Sequence, residues 1–555
     1  MKIKNLLPTS LAGAFSPLGL SGRSALPFIH AALLLTPLVG IGAATESNQP
    51  VQKAKPTAPG KAELDEAAEY QSKGFNVLFI AIDDLNDWVG CFGGNPQVIT
   101  PNMDRLAKQQ ATVMNKAYAP STVCGPSRSA LLSGKRASST GIYGNRENMK
   151  FAPLTKDVAT LPQYFSQHGY HALSTGKIFH KHPTEDGLDQ GQWAFDEFAA
   201  PSPGGKGGML WKKSPPAEEG DEKGEEFRWG AVKAPVEKTK DYIACKWAAD
   251  QLQRDFEGKP FFLALGLSKP HLPWEVPQQF FDLYPLDKLK PVDIVRDDLK
   301  DIVSKKGDSI FRPDPRFKAA DKANLHLEAQ QAYLANISYV DYCLGVVFDA
   351  LAKSKYADNT IIMLWGDHGW HLSEKMKYGK TDLWEESCRV PLLISVPGIT
   401  KPDFKCEGVV NLLDMYPTLV ELCGLPPNAE NEGRSFAPLL KNPSMEWNVP
   451  TLTTYQYKNH SLTDGRYRYT WYGGKADGAE ELYDHSVDPL EHTNLAANPE
   501  SQEIIALFKK YLPTHDEPDA PSNKLSGADK RKMAKGKGKD KGKNKDKDKE
   551  VEDDE

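Results

Sequence analysis

The sequence contains few cysteines for its length, seven in 555 residues. They are spread from position 91 to position 423, which excludes a small domain held together by a dense disulfide framework. In an exported protein an odd number of cysteines suggests that one of them has a special role. The remaining six could form disulfides or stay as buried thiols, and the sequence does not decide between these states.

A strong charge of one sign is also missing. Lysine and arginine number 68 against 74 aspartates and glutamates, so the formal net charge is only −6. A chain with this balance offers no electrostatic basis for binding nucleic acid. The hydrophobic and charged fractions, 40% and 26%, are those of an ordinary globular protein and exclude a membrane-spanning bundle.

Near the N-terminus lies an apolar segment of signal-peptide type. It follows Lys2 and Lys4, covers residues 25–42 and ends in small residues. We interpret residues 1–44 as a secretory signal peptide cleaved at its final alanines, which predicts export to the periplasm or the extracellular space. The alternative is an uncleaved membrane anchor, because the segment is almost long enough to cross a bilayer of about 30 Å.

Apolar runs of strand length alternate with segments of helical periodicity through most of the chain. The continuous run at residues 75–82 predicts a strand buried on both faces, as in a parallel sheet. Residues 328–353 place apolar side chains three and four apart, which predicts a long helix. The alternation predicts an α/β domain over residues 74–440, with a mainly parallel sheet flanked by helices. Further strands are predicted at 170–175, 260–267 and 360–365, and further helices from Thr100 and Thr160.

Four other segments depart from this pattern. Residues 45–73 lack apolar periodicity and are predicted to be a linker. Residues 201–236 are rich in glycine, proline, lysine and glutamate, which predicts a long surface insertion. Residues 441–515 contain predicted antiparallel strands and a final helix, which indicates a small α+β subdomain. Residues 516–555 have almost no apolar content, which predicts a disordered tail that aids solubility or, alternatively, contacts acidic polymers.

Polar side chains follow four of the predicted buried strands. Because ligands of open parallel sheets gather at the carboxyl ends of the strands, we expect these side chains to share one site. A further candidate, Cys124, stands at the start of a predicted helix, where backbone N–H groups favour an anion. The side chains after the strands are Asp83 and Asp84, Lys177 and His180, His271, and Asp367 and His368.

Three of these side chains, Asp83, Asp84 and Asp367, are carboxylates in positions where an uncompensated charge is costly. A hard divalent cation would neutralise them, and oxygen ligands favour Ca²⁺ or Mg²⁺ over Zn²⁺. Taken alone, an Asp-Asp pair is more often a turn or a helix cap, and an isolated lysine or histidine is more often structural. Their joint occurrence in this order, followed by Lys380, is what indicates a site.

The motif around Cys124 is the most specific signal in the sequence. It reads Cys124-Gly125-Pro126-Ser127-Arg128 and continues as Leu131-Leu132-Ser133-Gly134. The supporting motifs are Ile82-Asp83-Asp84, Gly176-Lys177-Ile178-Phe179-His180, Lys269-Pro270-His271, and Gly366-Asp367-His368-Gly369-Trp370 through Lys380. Together they resemble the type I sulfatases, most closely the iduronate-2-sulfatase-like branch. The resemblance extends from about Asn76 to Leu495 and implies an alkaline-phosphatase-like fold with a smaller C-terminal subdomain.

The resemblance implies that Cys124 is oxidised to formylglycine by a formylglycine-generating or equivalent maturase. Hydrated formylglycine carries two hydroxyls on one carbon, so one can attack sulfur and the other can later expel sulfate and regenerate the aldehyde. The resemblance also implies one Ca²⁺ per chain, bound by this residue with Asp83, Asp84, Asp367 and His368. Many sulfatases carry asparagine in place of His368, and imidazole is a less usual Ca²⁺ ligand.

The remaining residues receive their roles from the same resemblance. Arg128 would hold the formylglycine, and His180 would contact its hydroxyl. The sulfate group would be bound by Lys177, His271 and Lys380. Either His271 or Lys380 would protonate the leaving oxygen, a form of general acid catalysis commonly worth about 10²- to 10⁴-fold.

The implied activity is hydrolysis of sulfate monoesters on a sulfated carbohydrate of glycosaminoglycan or algal type. One alternative is a phosphomonoesterase or phosphonate hydrolase of the same superfamily. The other is a non-catalytic protein that binds sulfated glycans and whose cysteine is never converted. The sugar, the sulfated position and the choice between exo and endo action are not encoded in any motif that can be interpreted from this one sequence.

Overall fold

The computed structural model describes residues 74–180, 191–216, 227–447, 449–474, 476 and 478–521. The predicted signal peptide, the linker and most of the predicted tail lie outside the described residues. Strands β1 to β20 are Asn76–Asp83, Thr112–Met114, Ala117–Tyr118, His171–Gly176, Glu197–Ala199, Met209–Lys213, Trp229–Val232, Phe261–Pro270, Trp274–Pro277, Thr360–Gly366, His371–Leu372, Tyr378–Gly379, Arg389–Val390, Leu392–Ser395, Phe404–Cys406, Val410–Asn411, Thr451–Thr454, Asn459–Thr463, Tyr467–Tyr472 and Ala479–Asp484. Helices α1 to α12 are Pro101–Gln109, Cys124–Ser133, Ala137–Thr140, Leu161–Gln167, Lys240–Gln251, Gln278–Phe281, Pro315–Ala323, His326–Ala352, Glu385–Cys388, Met415–Leu422, Ala437–Lys441 and Gln502–Lys509.

The largest sheet has eight strands in the order β15-β2-β14-β10-β1-β8-β4-β5. Within this sheet, adjacent strands are parallel from β10 through β1, β8 and β4 to β5. Strand β14 runs antiparallel to both β10 and β2. The sheet is therefore mixed and mainly parallel, which confirms the predicted α/β class.

The central strands of this sheet have continuous runs of apolar residues, and strand β1 shows the reason. Leu78, Ile80 and Ile82 belong to the hydrophobic cluster on one face of the sheet. Val77 and Phe79 belong to the cluster on the other face. Because successive side chains of a strand point to opposite faces, a strand that is covered on both sides needs apolar residues at every position.

The long helix α8 forms much of the first cluster. It packs against α1, α5 and β8, and residues such as Ile337 and Val340 are fully buried. Among the described residues it is the one helix long and apolar enough to cross a membrane, but 78% of its apolar window is buried inside the protein. Its apolar composition is thus accounted for by its place in the core.

Strands β17 to β20 form a second, four-stranded antiparallel sheet. The tight turn between β18 and β19 contains Gly465, whose φ of 89° lies in the left-handed region that favours glycine. Helix α12 covers this sheet, with Ile505 and Phe508 packed against Tyr469 and Leu482. The antiparallel strands and final helix that the sequence predicts in this region are present.

The interpretation of residues 201–236 as a surface insertion is wrong for residues 229–232, which form a buried strand. Strand β7 is buried along its whole length and pairs with β6 and β9. Its Trp229 packs against the rings of Phe227 and Trp274, at centroid distances of 5.5 and 6.3 Å. The strand has only four residues, so the average composition of residues 201–236 reflects the surrounding glycine, proline and lysine. This is why the strand was not predicted from composition.

The predicted tail begins too early, at residue 516. The backbone N–H groups of Glu517 and Ala520 donate hydrogen bonds of 2.8 Å to the carbonyls of Ser138 and Gly141. Residues 516–521 therefore pack against the α3 region of the folded domain. The open question about the other six cysteines is also answered, because none of them forms a disulfide and all except Cys91 are buried.

Candidate active site

The polar side chains that follow the buried strands lie at one edge of the main sheet. Strands β10, β1, β8 and β4 are adjacent and parallel, so their carboxyl ends meet there. The expectation that these residues would share a site thus agrees with the topology. Asp367 and His368 follow β10, Asp83 ends β1 and Asp84 follows it, His271 follows β8, and Lys177 follows β4.

Cys124 is the first residue of α2 and lies inside this cluster. The helix is buried along its whole length, so its first residue is held in the interior. The Sγ atom of Cys124 lies 3.1 Å from Nζ of Lys380, 3.2 Å from Nε2 of His368 and 4.0 Å from Oδ1 of Asp84. A group bound at this position would therefore contact a cation, an imidazole and a carboxylate at once.

Arg128 lies one turn further along α2 and is fully buried. Its Nε is 2.8 Å from Oδ2 of Asp367, and its Nη2 is 3.2 Å from Oδ1 of Asp83. Its Nη1 donates to the backbone carbonyls of Lys177 and Ile178. These contacts tie the ends of β1, β4 and β10 to α2, whereas the resemblance had implied a direct role in holding the modified cysteine.

The surroundings of the two neighbouring aspartates, Asp83 and Asp84, shift their pKa values in opposite directions. Burial alone would raise the pKa of Asp83, but Lys177, with Nζ 2.6 Å from Oδ2, and further cations hold it well below its usual range. Burial raises the pKa of Asp84 to about 6, although Nζ of Lys380 lies 2.7 Å from Oδ1. Asp84 also has a positive φ of 59°, a strained conformation that is frequent at functional sites.

His368 presents an unprotonated nitrogen to the carboxylates. Its Nδ1 lies 3.0 Å from the carbonyl oxygen of Gly369, which can only accept a hydrogen bond. Nδ1 therefore carries the proton, and Nε2 faces Oδ1 of Asp84 at 3.5 Å and Oδ1 of Asp367 at 3.7 Å. Because burial lowers the pKa of His368, the ring is neutral at pH 7, as a metal ligand must be.

The donor atoms in this cluster fit a divalent cation. Asp84, Cys124 and His368 offer ligand atoms within 4.8 Å of one another, and so do Asp83, Cys124 and Asp367. Oδ2 of Asp84 is buried without a hydrogen-bond partner, which leaves a carboxylate oxygen available for a metal. The cluster is therefore a candidate metal site of aspartate, cysteine and histidine.

The remaining predicted residues occupy the more open side of the cluster. Nε2 of His271 lies 3.9 Å from Oδ2 of Asp84. The side chains of His271 and Lys177 are 22% and 15% exposed, against 6% for Lys380, so a substrate would enter from the His271 side. His180 lies at the end of a described stretch, directly before residues 181–190, and its contact with the hydroxyl stays a prediction.

Two residues that support the site, Tyr333 and Ser127, were not predicted from the sequence. The hydroxyl of Tyr333, on α8, donates to the carbonyl of Asp84 at 2.7 Å and accepts from the N–H of Asn86 at 3.0 Å. Nothing in the apolar pattern of α8 distinguishes this tyrosine. Ser127 donates to the carbonyl of Asp367 at 2.6 Å, and its place in the Cys124 motif was a signal that could have identified it.

Comparison with known proteins places this site in a family. The family model described as "Sulfatase" matches residues 75–425. A relative from Formosa agariphila, named "Sulfatase", is 38% identical over 81% of this chain and 88% of its own length. The chain belongs to the sulfatase family. A second family model, "N-sulphoglucosamine sulphohydrolase, C-terminal", matches residues 366–517 of this sulfatase, and the predicted class of enzyme, a sulfuric ester hydrolase, is confirmed.

More distant relatives support the predicted branch and fold. The iduronate 2-sulfatase of Homo sapiens is 27% identical to this sulfatase over 80% of the chain and 94% of the human protein. A solved structure, BT4656 in complex with its substrate D-glucosamine-2-N,6-O-disulfate, has a TM-score of 0.62 at 21% identity and covers 79% of this chain and 97% of its own. The phosphonate monoester hydrolase of Agrobacterium radiobacter also has a TM-score of 0.62, at 19% identity, with 79% and 94% covered.

Replacing Arg128 with leucine is expected to destabilise this sulfatase by about 3–5 kcal/mol, because the buried carboxylate of Asp367 would lose its guanidinium partner and Asp83 would keep only Lys177. Chemical denaturation measures the effect. The matched control is Arg105→Leu, since Arg105 pairs with Asp349 at 2.8 Å on the surface, where such pairs contribute about 0–1 kcal/mol. Equal losses in the two variants would contradict the assigned role of Arg128.

Metal binding is expected to weaken as the pH falls. Without metal, Asp84 has a pKa raised to about 6, so below that pH a metal must displace a proton. The apparent affinity for a divalent cation should then fall by up to about ten-fold per pH unit below pH 6 and level off above it. Calorimetry on metal-stripped protein tests this, and an unchanged pH dependence in Asp84→Asn would assign the effect to another group.

Proposed function

We propose that this sulfatase is an exported, Ca²⁺-dependent enzyme that removes sulfate from a sulfated carbohydrate, with a formylglycine made from Cys124 as its nucleophile. The observation that carries the proposal is the position of Cys124 Sγ, buried among Lys380, His368 and Asp84 at 3.1, 3.2 and 4.0 Å. It is the first residue of a Cys-x-Pro-Ser-Arg motif and lies where the metal and sulfate groups would meet.

The chemistry of the thiol itself supports conversion to formylglycine. Burial raises the pKa of Cys124, and the nearby Lys177 and Lys380 do not reverse this. An unmodified thiol here stays protonated at neutral pH and is a poor nucleophile. A hydrated aldehyde supplies a hydroxyl for attack on sulfur and a second hydroxyl for release of the sulfate.

Ca²⁺ is the cation we propose for the site. The carboxylates of Asp83, Asp84 and Asp367 are hard oxygen ligands that suit Ca²⁺ or Mg²⁺. The neutral nitrogen of His368 is a less usual ligand for either cation, but the flexible coordination of Ca²⁺ accommodates a mixed set of ligands better than Mg²⁺, which demands near-ideal octahedral geometry. A bound divalent cation would stabilise negative charge on the sulfate oxygens.

The cations at the open side would hold the sulfate group. Lys177 and Lys380 flank the carboxylate pair, with Nζ atoms at 2.6 and 2.7 Å from Asp83 and Asp84. Preorganised positive charge of this kind stabilises the charge that develops in the transition state. His271, the most exposed of the three sulfate-binding candidates, is well placed to protonate the leaving oxygen on the side where the substrate enters.

The names of the relatives support a carbohydrate substrate. The human relative is an iduronate 2-sulfatase, and BT4656 was solved with a sulfated glucosamine. We therefore propose a sulfated sugar of glycosaminoglycan or algal type. A screen against oligosaccharides sulfated at defined positions, with the desulfated forms as controls, would identify the sugar.

Export and maturation form part of the proposal. Residues 1–44 have the charged start, apolar centre and small final residues of a signal peptide. A maturase would have to act on the Cys124 segment before folding completes, because in the folded protein this cysteine is almost fully buried. N-terminal sequencing of protein from culture medium or periplasm would test export.

Cys124→Ala is expected to abolish sulfate ester hydrolysis while changing the thermal midpoint little, because a small side chain replaces a small one. The matched control, Cys91→Ala, should keep full activity, since Cys91 lies outside the site. Mass spectrometry of the peptide that contains residue 124 reports the conversion directly. An intact thiol in fully active protein, or activity in Cys124→Ala, would overturn the proposed nucleophile.

A phosphonate monoester hydrolase shares the fold, so hydrolysis of phosphate or phosphonate esters is one alternative to the proposed function. Turnover of an aryl sulfate and of the matching aryl phosphate by the same preparation separates the two activities. Preference for the phosphate would contradict the proposal. If the cysteine is unconverted and neither ester is hydrolysed, the protein is instead a binding protein for sulfated glycans.

A further inference from the structure

Lys380 is carried by an irregular segment, residues 371–384, which we call the Lys380 loop. It contains the short strands β11 and β12, paired at His371 with Gly379. Ser373, Lys375 and Thr381 have positive φ values of 95°, 52° and 77°, which are unfavourable for residues with side chains. The pairing of β11 with β12 ends at Gly379, directly before Lys380, so side-chain contacts help to position the part of the loop that carries Lys380.

One buried carboxylate, Asp382, supplies these contacts. Its Oδ1 lies 3.2 Å from Nε2 of His371, at the start of the loop, and accepts a hydrogen bond of 3.2 Å from the N–H of Trp384, at its end. Its Oδ2 lies 2.9 Å from Nζ of Lys377. Its backbone carbonyl accepts a hydrogen bond of 2.7 Å from Oγ1 of Thr122. Asp382 therefore connects both ends of the loop to each other and to the segment that precedes Cys124.

The charge of Asp382 is compensated inside the protein. A carboxylate can only accept hydrogen bonds, so Nε2 of His371 is the donor, while Nδ1 of the same ring is buried without a hydrogen-bond partner. His371 thus donates a hydrogen bond to the carboxylate, and Lys377 supplies an opposite charge. Burial alone would raise the pKa of Asp382, but Lys377 and His371 hold it far below its usual range, so the carboxylate stays ionised.

We propose that Asp382 is a positioning residue that acts through Lys380. Its carboxylate ties the two ends of the Lys380 loop to each other, while its backbone carbonyl holds the loop to Thr122. By fixing the shape of the loop, the carboxylate sets the distance between Nζ of Lys380 and residue 124, which is 3.1 Å to Sγ in the unmodified cysteine. The inference rests on the proposed function, in which Lys380 binds the sulfate. Asp382 itself touches neither the substrate nor the reacting atoms.

A double-mutant cycle on the full-length, converted enzyme tests this. Asp382→Asn keeps the shape of the side chain but removes its charge, and we expect kcat/KM for an aryl sulfate to fall about 10- to 100-fold, as displacement of a catalytic group by about 1 Å can do. In a Lys380→Ala background the same substitution should have no further effect, because its target is already gone. Inhibition by inorganic sulfate should weaken together with kcat/KM.

The control distinguishes positioning from general stability. Asp341→Asn also replaces a buried aspartate by its amide. Asp341 belongs to α8, and its carboxylate accepts from the N–H groups of Asn102 and Met103 at the start of α1. The substitution should lower the thermal midpoint without changing KM or the inhibition constant of sulfate, since neither depends on the fraction of folded enzyme. Conversion of Cys124 is measured in every variant by mass spectrometry.

The outcomes separate this inference from the proposed function. Equal losses from Asp382→Asn in the wild-type and Lys380→Ala backgrounds, or unchanged sulfate inhibition, would overturn the positioning role while leaving the sulfatase mechanism intact. If Lys380→Ala has no measurable turnover, the change in sulfate inhibition of Asp382→Asn relative to Asp341→Asn decides. Wild-type protein without sulfate ester hydrolysis would instead overturn the proposed function.

Discussion

The active site depends on the ion pairs that the buried guanidinium of Arg128 forms with Asp83 and Asp367. Three carboxylates, those of Asp83, Asp84 and Asp367, are at most 1% exposed at the edge of the sheet, where charges without partners would be very costly. Arg128 binds two of them and also donates to the end of β4. The same side chain therefore neutralises charge and fixes four secondary-structure elements around the position of Cys124.

The sequence predicted the parts of the site that depend on local patterns. A strand covered on both faces needs a continuous apolar run, so the points where β1 and β10 end, at Asp83 and Asp367, are visible without a structure. The Cys124 motif is local as well. Parallel strands share the direction of their carboxyl ends, and this rule was sufficient to gather the predicted side chains at one edge.

What the sequence did not reveal depends on contacts between distant segments. Strand β7 is four residues long and is stabilised by pairing with β9, which no window of composition around it reflects. Tyr333 follows the apolar period of α8, yet its hydroxyl supports the backbone of Asp84. Asp382 looks like a loop residue until His371 and its other partners are placed around it. In all three cases the local sequence carries no signal, and the role depends on contacts with residues that are distant in the chain.

The Lys380 loop also explains why the C-terminal sheet is not a separate module. Lys375, in this loop, is buried, and its Nζ lies 5.6 and 5.3 Å from the ring centroids of Trp384 and Tyr483. Trp384 donates from Nε1 to Oε2 of Glu481 at 2.9 Å, and both Tyr483 and Glu481 belong to β20. Separating the sheet from the loop would expose the rings and remove one of the two hydrogen bonds donated to Oε2 of Glu481, leaving the one from Tyr483. The C-terminal family model begins at residue 366 and ends at 517, so it includes the loop together with the sheet, in agreement with this packing of Lys375 and Trp384 against β20.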